Sequence, residues 1–259
     1  MNQPLLSARI SVDYPGKRGV VEDVNLTIAD GEVFGLAGES GSGKSTIALA
    51  ILRLVESRSG RVRGHIRFCG RDLLACGERQ LRQVRGCEIS LVMQDPASAL
   101  NPALRLERQL REAWCVHSPV SWREARPSVL YLLRQMGLPT EDEFLKRYPG
   151  QVSMGQAQRV VIAMAMLHKP KLVIADEPTS ALDPSSRREI LRLFAYLNAQ
   201  HGVAILLISH DMLALNELCH RIATLQSGRL AGCIDVAHGV APELALQHLD
   251  TGTADGVPL

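Results

Sequence analysis

Val33-Phe34-Gly35-Leu36-Ala37 followed by Gly38-Glu39-Ser40-Gly41-Ser42-Gly43-Lys44-Ser45-Thr46 is the stretch whose reading decides the fold. The first five residues are an unbroken apolar run, the mark of a strand covered on both faces. The next eight, Gly38 to Ser45, match G-x-x-x-x-G-K-[ST] in full. A helix is expected from about Thr46 to Val55. Strand, glycine-rich loop and helix in that order make a phosphate-binding loop. Its glycines let successive N–H groups point inward at phosphate oxygens, and the helix start adds the positive end of its dipole. In such a loop Lys44 reaches the β- and γ-phosphates, the Ser45 hydroxyl ligates Mg²⁺, and Thr46 extends the nucleotide-contacting run.

Working outward, Val24, Leu26 and Ile28 alternate with polar neighbours and read as a half-buried antiparallel strand. His65–Phe68 with Cys69-Gly70-Arg71 reads as a strand and turn, and Ile89–Met93 as another buried strand. From Ala103 to Lys146 there is no clear strand. Helical stretches fall around 104–116, 121–136 and 141–147, broken at Ser118-Pro119. This predicts a helical subdomain inserted in an α/β core. After Val152 the alternation resumes with a helix near Gly155–His168 and a strand at Lys171–Ala175. Helix Pro184–Gln200, strand Val203–Ile208, helix Met212–Cys219 and a hairpin turning at Gln226–Arg229 complete it. Strands alternating with helices imply a mostly parallel sheet, with ligands at the carboxyl ends of its strands. The expected class is α/β: residues 1–94 and 151–240 are expected to form a nucleotide-binding core that resembles the RecA-like fold, with an N-terminal antiparallel β subdomain. Residues 95–150 form the helical subdomain and 241–259 a small, polar, frayed tail.

At the end of one of those strands, Leu172-Val173-Ile174-Ala175 is followed by Asp176-Glu177. Asp176 is placed to orient Mg²⁺ and Glu177 to polarise a water for attack on a γ-phosphate. Together with the phosphate loop this points to a nucleoside-triphosphate hydrolase or kinase.

Composition narrows the classes further. The 259 residues carry 29 Lys and Arg against 27 Asp and Glu, a formal +2, so no dominant field for nucleic acid is expected. No stretch approaches the ~20 apolar residues of a membrane helix, and the first residues, Met1-Asn2-Gln3-Pro4-Leu5, lack the basic and apolar pattern of a secretion signal. The six cysteines form no C-x-x-C pair, which speaks against a zinc module or a disulfide framework.

Val152-Ser153-Met154-Gly155-Gln156-Ala157-Gln158-Arg159-Val160 resembles the signature of the ATP-binding-cassette (ABC) ATPases, usually Leu-Ser-Gly-Gly-Gln followed by Gln-Arg-Val. A small-residue turn at a helix start offers free N–H groups and a hydroxyl to an anion. In that family the signature at 152–156 completes the ATP site of the opposite subunit, through Ser153, Gly155 and Gln156. Other landmarks lie in order. Gln94 matches the Q-loop glutamine that touches Mg²⁺ and the attacking water, and Asp183 in Ser180-Ala181-Leu182-Asp183 matches the D-loop at the dimer seam. His210 matches the switch histidine that bonds the γ-phosphate, and Tyr14 stands where an aromatic residue stacks on adenine. The resemblance covers about Leu6 to Gly232 and implies an ATPase that uses ATP and Mg²⁺.

Gln94-Asp95-Pro96, Ser98–Pro102 and Tyr148-Pro149 resemble the oligopeptide, dipeptide and nickel importer ATPases within that family. This implies a peripheral subunit on the cytoplasmic face of a bacterial inner membrane. It works with two permease subunits, a second ABC ATPase subunit and, indirectly, an extracytoplasmic solute-binding protein. The chain stops soon after Cys233 with no cysteine cluster, which favours the shorter, nickel-type members. The competing class is a non-transport ABC ATPase, but such chains carry paired cassettes, coiled-coil or zinc insertions, or a nucleic-acid-binding charge. A small-molecule P-loop kinase is a third class and would need no signature.

One position departs from the pattern: Met154 stands where the signature has glycine. A side chain there crowds the partner's γ-phosphate, so the site this signature completes is expected to turn over slowly. Met154→Gly is expected to raise ATP turnover of the assembled complex, read by phosphate release; an unchanged rate removes the idea.

Overall fold

A computed structural model describes residues 3–236 of the chain. The expected tail at 241–259 lies outside the described residues. The apolar alternation of Leu6, Ala8, Ile10 and Val12 makes β1 (Leu6–Tyr14), which pairs antiparallel with β2 (Lys17–Ile28). The buried run makes β3 (Val33–Gly38), and the glycine-rich loop leads into α1 (Lys44–Ile51). Next come β4 (Arg61–Phe68), β5 (Arg71–Asp72), α2 (Glu78–Val84) and β6 (Ile89–Val92). The helical segment holds α3 (Pro96–Ala99), α4 (Leu106–Cys115), α5 (Trp122–Gln135) and α6 (Asp142–Leu145). The second half runs α7 (Met154–Met166), β7 (Leu172–Asp176), α8 (Pro184–His201), β8 (Ala204–Ser209), α9 (Met212–Leu218), β9 (Arg221–Gln226) and β10 (Arg229–Asp235).

Two sheets result. One is antiparallel, in the order β2-β1-β4-β5. The other runs β10-β9-β3-β8-β7-β6, parallel from β9 to β6, with β10 antiparallel at its edge. Strand alternation sends each parallel strand into two cores. Phe34, Leu36, Leu172, Ile174, Leu206 and Ile208 face a core shared with the antiparallel sheet and α1. Val33, Ala37, Val173, Ala175, Ile205 and Leu207 face a second core, shared with α7, α8 and the helical segment. A parallel sheet buried on both faces needs near-continuous apolar strands, and these strands have them. α7 packs on α3, α4 and α5 as well as on β6 and α8, so it joins the helical segment to the parallel sheet.

The observed elements include β1, α2 and α3, which the sequence reading did not draw, and the others depart from the expectations at their ends. α1 starts at Lys44, two residues before the expected Thr46, because the loop turns directly into the helix. It stops at Ile51 rather than Val55. Arg53 takes the left-handed conformation at φ 55°, and the Leu54 N–H bonds back to the Leu49 carbonyl at 2.8 Å, closing the helix there. β6 ends at Val92, and α3 follows, with Pro96 in its first turn and the Asp95 carboxylate accepting from the Ala97 N–H at 2.9 Å. No helix of the described residues is long and apolar enough to cross a membrane.

Phe194 on α8 is fully buried in the second core. Phe194→Ala is expected to lower stability by about 3–5 kcal/mol through a cavity the helices cannot fill, measured as a lower urea midpoint at unchanged slope.

Candidate nucleotide site

The loop after β3 is shaped by its lysine and its glycines. The Lys44 side chain is only 6% exposed, and its ammonium donates to the carbonyls of Gly38 at 2.7 Å and Glu39 at 2.9 Å. An ammonium has three donors, so these bonds fold the loop around the lysine and leave one donor for a ligand. Gly43, just before the helix, sits at φ 111°, where a Cβ would lie 2.8 Å from the Val20 carbonyl. β2 presses on the loop at that point, and only glycine fits. The β9–β10 turn clamps the other side, where the Gly228 N–H donates to the Ser42 carbonyl at 3.0 Å. The Ser42 hydroxyl is buried without a partner, whereas Gly41 has nothing within 4 Å of where a Cβ would stand. Glu39, Ser40, Gly41 and Ser45 are exposed and Thr46 is half-buried, so this loop opens outward over a buried floor.

β7 brings the two acids to the same edge. Burial pushes the Asp176 carboxyl above the usual carboxylate range; the Ser45 hydroxyl draws it down, the neighbouring Glu177 raises it and Lys44 lowers it. Its Oδ1 is buried and has no hydrogen-bond partner among the described residues. Glu177 leaves the strand in the left-handed region, at φ 52°, which is uncommon for a residue with a side chain. Its N–H donates to the Ile208 carbonyl at 2.9 Å, and its carbonyl accepts the Ser180 N–H and hydroxyl at 3.2 and 3.0 Å. That backbone turn aims the carboxylate at His210, whose Nδ1 lies 2.8 and 2.9 Å from its two oxygens. A carboxylate only accepts, so Nδ1 carries the proton. His210 is 65% exposed, so its ring is held by this contact and by the backbone beside it rather than by packing.

The remaining candidates lie further out. Tyr14 is half-buried at the β1–β2 hairpin, its ring against Gly60 and the first core. Gln94 lies exposed in the bend after β6, two residues past the strand's end. Ser153 caps α7: its Oγ accepts from the Gln156 N–H and the Gln156 side chain accepts from the Ser153 N–H, both at 3.1 Å. Gly155 sits against α8, where a Cβ would meet Ser186 Oγ at 3.2 Å. Met154 is 45% exposed at the start of the helix. Asp183 caps α8, accepting from the N–H groups of Ser185 and Ser186. The Ser186 hydroxyl and N–H, with the Ser185 N–H, hold its carboxyl below the usual range.

Two residues that the sequence reading did not single out tie this site together. Asp211 follows His210 and caps α9, accepting the N–H groups of Leu213 and Ala214 on Oδ1 at 3.0 and 3.3 Å. Arg187, one turn into α8, donates from Nη1 to Asp211 Oδ2 at 3.0 Å. Asp211 before an apolar helical run is a readable cap signal; Arg187, 24 residues away, carries none.

A family model described as ABC transporter matches residues 21–180. The chain is 40% identical, over its whole length and 81% of the other protein, to a "Probable D,D-dipeptide transport ATP-binding protein" of Escherichia coli (strain K12). It is likewise 40% identical to a dipeptide transport ATP-binding protein of Bacillus subtilis (strain 168), over 84% of this chain and 65% of that one. Among solved structures it matches the dimeric ATP-binding cassette MJ0796 in a post-hydrolysis state bound to ADP and Pi. That match has a TM-score of 0.76 and 26% identity, over 90% of this chain and 99% of that one. The fold and its phosphate loop define a P-loop nucleotide-binding cassette. The chain belongs to the ABC transporter family, whose activity is ATP hydrolysis coupled to transport.

Because the folded state raises the Asp176 pKa, the ionised acid opposes folding at neutral pH, and that opposition fades as pH falls through the folded pKa. Asp176→Asn is expected to raise the melting temperature of the nucleotide-free protein at pH 7, by about 2–4 °C for each kcal/mol relieved, and by less near pH 4. Scanning fluorimetry at both pH values reads it; a lower midpoint at pH 7 contradicts the account.

Proposed function

We propose that this chain is the ATP-hydrolysing subunit of a bacterial peptide importer, held as a peripheral protein on the cytoplasmic face of the inner membrane by two permease subunits. The observation that carries the hydrolytic reading is the Glu177 carboxylate, fixed by His210 at the sheet edge that also bears the Lys44 loop. The cargo class is taken from the relatives, whose names speak of peptide or dipeptide transport. Peptide is therefore favoured over nickel, and a transport role over a non-transport ATPase.

In this reading the loop from Gly38 to Thr46 wraps the nucleotide's phosphates. Lys44 supports the loop with two donors and meets the terminal phosphates with the third. Ser45 and Asp176 would hold Mg²⁺. The fit is supported by the donor chemistry: hard oxygens, one of them the buried and unpartnered Oδ1 of Asp176, beside a phosphate loop. When bound, the ion offsets charge on the phosphates. Glu177 takes the proton of the attacking water. His210 holds Glu177 in place through Nδ1 and, when Nε2 also carries a proton, donates from it to the γ-phosphate, while Gln94 contacts the water and relays its state toward the permease. Tyr14 stacks on adenine.

A second cassette completes the site. Ser153, Gly155 and Gln156 of one subunit face the ATP held by the other, across a seam that Asp183 lines. The capping box leaves the Ser153 hydroxyl proton and the N–H groups of Met154 and Gly155 free for an anion. An extracytoplasmic binding protein delivers the cargo to the permeases.

Lys44→Ala is expected to abolish ATP binding. Glu177→Gln is expected to keep binding, lose about 10²-fold or more in turnover, and accumulate as an ATP-bound dimer on size exclusion. In the source bacterium, deletion of the gene is expected to abolish uptake of at least one labelled dipeptide, restored by the wild-type chain and not by Glu177→Gln. Uptake of a full dipeptide panel unchanged by deletion would overturn the importer reading, and full turnover in Glu177→Gln the catalytic one.

A further inference from the structure

We infer that Arg187 is a positioning residue for hydrolysis: from the first turn of α8 it anchors Asp211 and so holds His210 on the Glu177 carboxylate. The inference rests on Glu177 acting as the base.

The chain of contacts runs through groups with little freedom. His210 is mostly exposed, so its ring direction depends on the backbone between Ser209 and Asp211. That backbone is pinned by Asp211. Its N–H donates to Ser209 Oγ at 3.0 Å, its Oδ1 caps α9, and its Oδ2 accepts from Arg187 Nη1 at 3.0 Å. The first two bonds are local to the loop. Of these three, only the third reaches an element distant in sequence. It is charge-assisted and partly shielded, with the Asp211 side chain 23% exposed and that of Arg187 38%. The Arg187 Nε is buried without a hydrogen-bond partner among the described residues, so the guanidinium is anchored through Nη1. The ion pair to Asp211 fixes the direction of that side chain.

The element at the other end of that bond matters for function. α8 begins at Asp183, which caps it, and the turn before it is bonded to Glu177 through Ser180. Ser186, next to Arg187, lies against Gly155 of the signature helix. Glu177 is thus reached by two routes, from the turn before α8 through Ser180 and from α8 itself through Arg187, Asp211 and His210. A shift of the α8 start would move the histidine and the carboxylate it orients together.

The test uses the purified full chain with MgATP, measuring nucleotide affinity, kcat and KM for Arg187→Ala, Arg187→Lys and Asp211→Asn. Asn keeps a side-chain oxygen for the α9 cap but loses the charge. Glu177→Gln and the exposed-site control Arg188→Ala run beside them. A misaligned proton acceptor is expected to cost about tenfold or more in kcat in Arg187→Ala and Asp211→Asn, with ATP affinity within about twofold. Lys is expected to restore part of the loss, and the double variant Arg187→Ala/Asp211→Asn to be no slower than the worse single one. If Glu177→Gln is inactive while both Arg187→Ala and Asp211→Asn keep wild-type kcat, the positioning role is wrong and the base assignment stands. If Glu177→Gln turns over at the wild-type rate, the base assignment itself is wrong. A lowered melting temperature with unchanged kcat per folded molecule, or additive losses in the double variant, also overturns the positioning role.

Discussion

The carboxyl ends of β3, β8 and β7 lie in register, and the chemistry of the chain depends on that alignment. Ala37 pairs with Ser209, and Ile208 with Asp176. The loops that carry Lys44, His210 and Glu177 therefore leave the sheet within a rung or two of one another. The alignment is enforced by the two cores. A slip of one residue would exchange the side chains facing the antiparallel sheet with those facing α7 and α8 along a whole strand. The strands are apolar throughout, so the penalty for a slip is steric rather than polar: Phe34 and Val33, or Ala175 and Ile174, do not fill each other's spaces. The bond from the Glu177 N–H to the Ile208 carbonyl carries the ladder one residue past Asp176. Core packing thus sets the spacing of the loops that carry Lys44, Glu177 and His210.

Much of this was legible in the sequence because it depends on local patterns. The buried run at Val33–Ala37, the loop to Ser45 and the paired acids after Ala175 each announce themselves, and each sits where the strand–loop–helix order requires. The ends of elements were less legible. Nothing in Leu52-Arg53-Leu54 signals that Arg53 will turn left-handed and stop α1, since the usual glycine or asparagine is absent. The left-handed turn at Glu177 is equally silent, being imposed by bonds to Ile208 and Ser180 that form only once β7 and β8 are paired. β1 shows its alternation plainly at Leu6, Ala8, Ile10 and Val12. Its place at the centre of the antiparallel sheet, between β2 and β4, is a long-range fact that no window contains. Arg187 and Asp211 belong to the same category.

Capping and ligand binding are often treated as rival readings of a helix start, and α7 and α8 show why they are compatible. A serine hydroxyl that accepts one bond still carries its proton, and a capped helix still has N–H groups without intrahelical partners. Ser153 accepts from Gln156 and Asp183 from Ser185 and Ser186. These bonds fix the helix starts in one conformation, which lowers the entropy lost when anything docks there. Residues that look merely structural in a single subunit are thus suited to an interface, and their capping role gives no reason to remove them from the site. Met154 is different: it adds bulk to that surface and makes no cap.

The site is also electrostatically unbalanced by itself, and this has a thermodynamic consequence. Burial pushes the Asp176 carboxyl above the usual range, and a second acid stands beside it. Lys44 has a donor in reserve, and Oδ1 of Asp176 and the hydroxyl of Ser42 are buried without partners. Each of these raises the free energy of the ligand-free fold, because an unmatched buried polar group loses hydration without replacement. A ligand that brings both anionic oxygens and a cation relieves both imbalances at once, and its binding stabilises the fold by linkage. That relief is concentrated at the strand ends where β3, β7 and β8 meet. Beyond the strands, α8 is bonded to the histidine loop through Arg187, and the turn that precedes it is bonded to Glu177 through Ser180. The start of that helix lies against Gly155, so the strand ends and the start of α7 are joined through α8.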